Sequence, residues 1–192
     1  PTSRSRSFQW EPGLPAMHWS LSASSKAECS LPGMRRICSR RPVVCFHLSP
    51  VSGAIYENLL AELGHDRVAL APDTPGYGAS DGPAQPPSIE DYAATMGEML
   101  AALAIDEVDC IGFHTGSKIA LELALQRPAC VRHLLLISTP IYTAEELQQM
   151  RVEFAPMAVR TDGSHLTDYW RELMRWRGPG QTPEDLMRYF GI

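Results

Sequence analysis

Residues 107–126 read EVDCIGFHTGSKIALELALQ, and two periodicities meet inside them. Val108 to Gly112 is a short apolar run with a β-branched bias, the pattern of a buried strand. From Ser117 onward, Ile119, Ala120, Leu123 and Ala124 recur at helical spacing. Strand gives way to helix within about four residues, with Gly112 and Gly116 at the corner. So tight a turn lifts its central side chain into a crowded, exposed position, and the two glycines remove Cβ atoms that would collide with the neighbouring strand and helix. The central residue is His114.

The segment Gly112-Phe113-His114-Thr115-Gly116 resembles the nucleophile elbow of the α/β-hydrolase superfamily, G-x-S-x-G, with histidine standing where that family has its serine. A second stretch strengthens the resemblance. Pro72-Asp73-Thr74-Pro75-Gly76-Tyr77-Gly78-Ala79-Ser80-Asp81 is similar to the D-x-x-G-x-G-x-S loop after the fourth strand of that superfamily. Its expected role is structural, with Asp73 accepting local N–H bonds and the glycines taking positive φ. A third is Val43-Val44-Cys45-Phe46, a buried-strand run that ends in His47-Leu48-Ser49-Pro50. It matches the His and Pro of the family's His-Gly-x-Pro segment and departs from it at Leu48. The resemblance implies an oxyanion hole made by the backbone N–H groups of Ser49 and Thr115, with His47 and Asp73 supporting the loops. For His47 the expected part is to pin its loop by hydrogen bonds to backbone.

Outward from these motifs the chain alternates strand and helix. Ile55, Leu59, Leu60 and Leu63 share a helical face closed by Gly64, and Val68 to Ala71 is the next buried strand. Ser88 is a plausible N-cap, with Glu90 and Asp91 in the first turn of a helix reaching about Leu103, whose Met96, Met99, Leu100 and Leu103 face inward. VRHLLLIS, residues 131–138, reads as a further buried strand. The fold class is therefore α/β, a doubly wound and mostly parallel sheet of the α/β-hydrolase type. After Pro140 the pattern is helical. Thr143 and Glu146 form a capping box for a helix to about Phe154, Ser164 caps a second, and Thr182-Pro183-Glu184 opens a third. The resemblance implies the start of a helical cap over residues 141–192, with Tyr169, Trp170, Trp176 and Tyr189 as candidates to pack it or line a pocket.

Residues 1–41 carry seven Lys/Arg and two Asp/Glu and show no sustained period, so a disordered or poorly structured leader is expected there, with a transit peptide as the alternative. Residues 42–192 carry ten Lys/Arg and twenty Asp/Glu, an acidic body without the basic stripe that nucleic acid requires. No apolar run reaches the eighteen residues of a membrane span, which leaves the cytoplasm as the expected location. Five cysteines without C-x-x-C spacing suggest neither a disulfide framework nor zinc, and Cys45 and Cys110 read as core residues.

The α/β-hydrolase resemblance covers residues 42 to about 180. It places the family's histidine and acid later than the residues in hand, which carries the expectation of a truncated fold, a fragment or an incomplete domain. Imidazole has a reference pKa of about 6.5 and is mostly neutral and nucleophilic at neutral pH. His114 at a helix N-terminus, where the dipole disfavours imidazolium, is accordingly read as a nucleophile or a general base in a hydrolase of an ester or similar small acyl substrate, with no cofactor and no metal. Three alternatives stay open: a binding protein that has lost catalysis, Ser117 or Thr115 as nucleophile, and a metal site using His47 and His114. A dehalogenase or epoxide hydrolase would carry a carboxylate at the elbow.

Overall fold

The computed structural model describes residues 4–8, 17–22, 40–153, 155 and 157–184. These fall into two compact units, one reaching Pro140 and the other beginning at Ile141. The first unit is built on one sheet of six strands: β1 (Arg4–Phe8), β2 (Met17–Ser22), β3 (Val43–Phe46), β4 (Ala69–Pro72), β5 (Val108–Phe113) and β6 (Val131–Ile137). Across the sheet they lie in the order β1-β2-β4-β3-β5-β6. The strands β4, β3, β5 and β6 run parallel, while β2 joins β4 antiparallel and β1 joins β2 antiparallel. The α/β class with a mostly parallel sheet is thus the observed architecture.

Three helices belong to this unit: α1 (Glu57–Leu63), α2 (Ile89–Ala102) and α3 (Thr115–Gln126). The central strands β3 and β4 are covered on both faces, and they are apolar at every position rather than at alternate ones. On one face Val44, Phe46, Leu70 and Cys110 pack against Met96, Met99 and Leu100 of α2 and Ile119 and Leu123 of α3. On the other face Val43, Cys45, Ala69 and Ala71 meet Tyr56 and Leu60, which a short 3-10 turn, Gly53–Tyr56, and α1 supply. Each large apolar side chain so buried contributes about 1.5–3 kcal/mol. Helix α2 starts at a complete capping box, in which Ser88 Oγ accepts the Asp91 N–H at 3.2 Å and Asp91 Oδ2 accepts the Ser88 N–H at 2.9 Å.

Two expectations about the sheet need correction. The sequence predicts no folded element in residues 1–41, yet two of their stretches are strands β1 and β2 of the sheet. Strands this short at the margin of a sheet are held by main-chain pairing to a neighbour, which leaves no periodic side-chain signal to read. The apolar run of β6 predicts a buried strand. Its residues are instead exposed, with Leu134 at 37 %, Leu135 at 54 %, Leu136 at 37 % and Ile137 at 40 %. An apolar run states what a strand would bury, and whether neighbours cover it is decided by the rest of the assembly. Here β6 is the last strand of the sheet order, paired on one side by β5.

The second unit contains α4 (Ala144–Glu153) and α5 (Ser164–Trp176). Thr143 and Glu146 form the expected reciprocal pair at the start of α4, with bonds of 2.7 and 3.2 Å. At α5 the cap differs from expectation. Gly163, at φ 74°, takes the N-cap position and Ser164 is already helical, its N–H and Oγ–H both donating to Asp162 Oδ1. Phe154, and the third helix beyond Glu184, lie outside the described residues. No helix among the described residues is long and apolar enough to cross a membrane.

Candidate functional site

Strand β5 ends at Phe113 and α3 begins at Thr115, so one residue makes the corner. His114 sits there at φ 52°, ψ −113°, a conformation that costs a non-glycine residue about 1–3 kcal/mol and persists only where its surroundings impose it. Both of its backbone groups are engaged. The N–H donates to the Ile137 carbonyl at 2.9 Å, and the carbonyl accepts the Ser117 N–H at 3.0 Å and the Ser117 hydroxyl at 2.5 Å. The glycines beside it are sterically required. A Cβ on Gly112 would stand 2.5 Å from the Gly116 carbonyl oxygen, and one on Gly116 would stand 2.0 Å from the Phe46 oxygen and 2.7 Å from that of His47. The first turn of α3 therefore presses on the end of β3.

The imidazole of His114 is half-buried. Burial pushes its pKa below the ordinary histidine value, and the positive charge of Lys118 one turn along α3 pushes in the same direction. The neutral ring expected from the helix dipole is thus favoured by two other causes. Nδ1 lies 3.5 Å from Thr115 Oγ1, the outer limit of a hydrogen bond. Ser117 is fully buried with its hydroxyl spent on the His114 carbonyl, which removes it as a nucleophile.

His47 is 1 % exposed and both ring nitrogens are occupied. Nδ1 lies 2.8 Å from the Leu48 carbonyl oxygen, to which it must donate. Nε2 accepts the Thr74 N–H at 3.0 Å and lies 3.1 Å from Thr74 Oγ1. The edge of the Tyr77 ring completes its enclosure, with centroids 5.8 Å apart. Burial holds the His47 pKa below the usual value. With neither nitrogen open, His47 does not serve the metal site considered from sequence, and no group of three or more His, Cys, Asp or Glu that could hold a metal ion occurs among the described residues.

Asp73 is equally committed. Oδ1 accepts the Gly53 N–H at 2.7 Å and Oδ2 accepts the Ala79 N–H at 3.0 Å, while its own carbonyl accepts Ser80 Oγ–H at 2.8 Å. Gly76 and Gly78 take φ 87° and 56°, and a Cβ on Gly78 would fall 2.2 Å from Asp73 Oδ2. Tyr56 ties the same region to β3 by donating its hydroxyl to the Phe46 carbonyl at 2.9 Å. Thr74, Tyr56, Tyr77 and Lys118 were not singled out from sequence. Thr74 lies 27 residues from His47, a distance no local pattern spans. Cys45 and Cys110 have thiols pushed up to about 12 by burial and are inert core residues. In the second unit Tyr169 is exposed and Trp170 half-buried; the Trp176 side chain and Tyr189 lie outside the described residues.

Residues 41–169 match a family model described as alpha/beta hydrolase fold. An uncharacterized protein of Mycobacterium tuberculosis is 29 % identical over 123 residues, covering 64 % of this chain and 36 % of the relative. The 2-hydroxy-6-oxo-2,4-heptadienoate hydrolase of Pseudomonas putida is 32 % identical over 100 residues, covering 50 % of this chain and 36 % of the relative. The matched stretch thus spans little more than a third of the length of these curated relatives. Among solved structures, an epoxide hydrolase, CorEH, superposes with a TM-score of 0.70 at 18 % identity, covering 98 % of this chain and 68 % of its own. That likeness concerns the fold alone.

Proposed function

We propose, on the premise that this chain belongs to the alpha/beta hydrolase fold family, that it hydrolyses an ester or similar small acyl substrate at His114. The observation that carries the reading is the conformation of that residue, an imidazole held at φ 52° on a one-residue corner whose two backbone groups and two flanking glycines fix it. Strain concentrated at one side chain that reaches a strand's carboxyl end is how this fold presents a reactive group. A neutral imidazole needs no base to become a nucleophile, so the missing serine does not by itself remove attack on an acyl carbon. The Ser49 and Thr115 N–H groups are the proposed donors to the resulting oxyanion. His47 and Asp73 hold the two loops around them and take no part in proton transfer.

The test is release of p-nitrophenol from short-chain esters by the wild-type chain and by His114→Ala. A loss of about 100-fold or more in kcat/KM supports the reading, since a positioned acid, base or nucleophile is worth at least that much. Equal rates overturn it. A second reading, a binding pocket without turnover, is favoured by one detail: the ring of His114 is approached by a hydroxyl at 3.5 Å where an orienting carboxylate would be stronger. Saturable ligand binding without His114-dependent release would establish it.

A further inference from the structure

Strand β6 closes the sheet order beyond β5, and its residues 132–137 are exposed. The His114 N–H donates to the Ile137 carbonyl, so the main chain of Ile137 faces β5. Alternation along the strand turns Leu135 the same way and leaves the N–H and C=O groups of Leu134 and Leu136 pointing outward. The side chains divide between the two faces. Leu134 lies beside Cys110 and Leu135 beside Ile111, which puts Leu134 and Leu136 on the face of α2 and α3, and Leu135 and Ile137 on the face of α1. At 54 % exposure Leu135 is the most open of the four. An outward row of main-chain donors and acceptors, flanked by apolar side chains on both faces, is a surface that pairs with another strand.

We propose that β6 pairs antiparallel with β6 of a second copy of this chain, about a twofold axis through Leu135. That register sets Leu134 of each copy opposite Leu136 of the other, and each such pair exchanges both main-chain bonds because both residues face outward. Leu135 stands against its own symmetry mate. Arg132 and His133 lie opposite Ser138 and Ile137, so no like charges meet. Ser138, at φ 51°, ends the strand and with it the pairing. The other margin of the sheet is a poorer match, since β1 carries Arg4 and Arg6 while β6 carries Arg132 of its own. Residues 132–137 present on the order of 500 Å² in each copy, so the pair buries at most about 1,000 Å², the lower end of what a specific interface needs. Association is accordingly concentration-dependent. Its end point is a closed pair and not a filament, because a twofold interface occupies the same patch on both copies. Pairing on the outer side of β6 also braces Ile137, whose carbonyl holds the His114 N–H at the corner. Nothing in this pairing depends on the chemistry of His114.

The experiment is sedimentation equilibrium of the full chain across the micromolar range, beside Leu135→Glu, Leu135→Lys and an equimolar mixture of the two variants. Folding of each is checked by circular dichroism and thermal melting. Leu135 is more than half exposed, so both substitutions leave the fold intact. The expected result is a wild-type mass that rises from one chain to two with concentration. Each variant alone stays at one chain, because like charges meet on the axis, and the mixture regains the two-chain species. A wild type that stays at one chain throughout overturns the proposal, as does a dimer that both substitutions leave untouched or growth beyond two chains. A mixture of folded variants that stays at one chain overturns it too, since Leu135 then does not stand on the axis.

Discussion

The Nε2 atom of His47 accepts the backbone N–H of Thr74 at 3.0 Å while the opposite ring nitrogen donates to the Leu48 carbonyl, so one buried imidazole ties the loop after β3 to the loop after β4. That arrangement requires the neutral ring, because a proton on Nε2 would turn the acceptor into a donor facing another donor. His47 has its pKa lowered in the folded protein. The unfolded chain therefore binds more protons than the native one between the folded pKa and about 6.5, and stability falls as pH drops through that window. Urea denaturation at stepped pH should show this acid-side loss in the wild type. A His47→Asn variant, less stable at pH 8, should show a smaller further loss below pH 6.5.

Gly116 offers a sharper steric test. Its Cβ position lies 2.0 Å from a main-chain oxygen of β3, which cannot move without disturbing the sheet. Gly116→Ala should cost upward of about 2 kcal/mol or prevent folding. Gly82, with nothing within 4 Å, is the matched control, and Gly82→Ala should stay within about 0.5 kcal/mol. Chemical denaturation of both variants decides the matter.

Asp73→Ala removes the acceptor of the Gly53 and Ala79 N–H groups, of which Gly53 is buried. Leaving a buried donor unmatched costs about 1–3 kcal/mol, and that is the expected loss of stability. If the Asp73 carboxylate is structural, Asp73→Asn, which keeps an acceptor oxygen, should recover part of it. A binding measurement or assay in which Asp73→Asn folds normally but loses all function would show the carboxylate doing chemistry instead.

Lys118 and burial act together on His114. The acid limb of kcat/KM for an activated ester should fall at a pH below 6.5, because the neutral ring persists there. Lys118→Met removes the repelling charge and should move that limb toward higher pH. A limb that does not move would assign the titration to another group.

At the start of α2, Ser88→Ala deletes one half of an exposed capping box. The cost should be about 1 kcal/mol, read from the urea midpoint, with no effect on the elbow.

The tight strand-to-helix corner at His114, the Asp73 loop and the strand-helix alternation were legible from sequence because each depends on local requirements: glycines where a Cβ does not fit, acceptors beside turns, apolar runs where a strand is covered twice. His47 was legible as a loop residue, but its partner Thr74 was not, since parallel strands join residues distant along the chain. The neutral ring of His114 was expected from the helix dipole, and burial and Lys118 favour it as well, causes that exist only once the fold does. Strands β1 and β2 escaped notice for a related reason. Their main-chain bonds to a neighbour leave Arg4-Ser5-Arg6-Ser7-Phe8 looking like polar linker.

The two margins of the sheet differ in a way that bears on how the protein behaves in concentrated solution. Two arginines alternate along β1, whereas β6 presents Leu134, Leu135, Leu136 and Ile137 in succession with no lysine or proline among them. An apolar edge of that kind accepts a further strand or an apolar cover more readily than a charged one does. Whatever meets β6 therefore meets four apolar side chains in succession, and a charge placed at Leu135 would count against it.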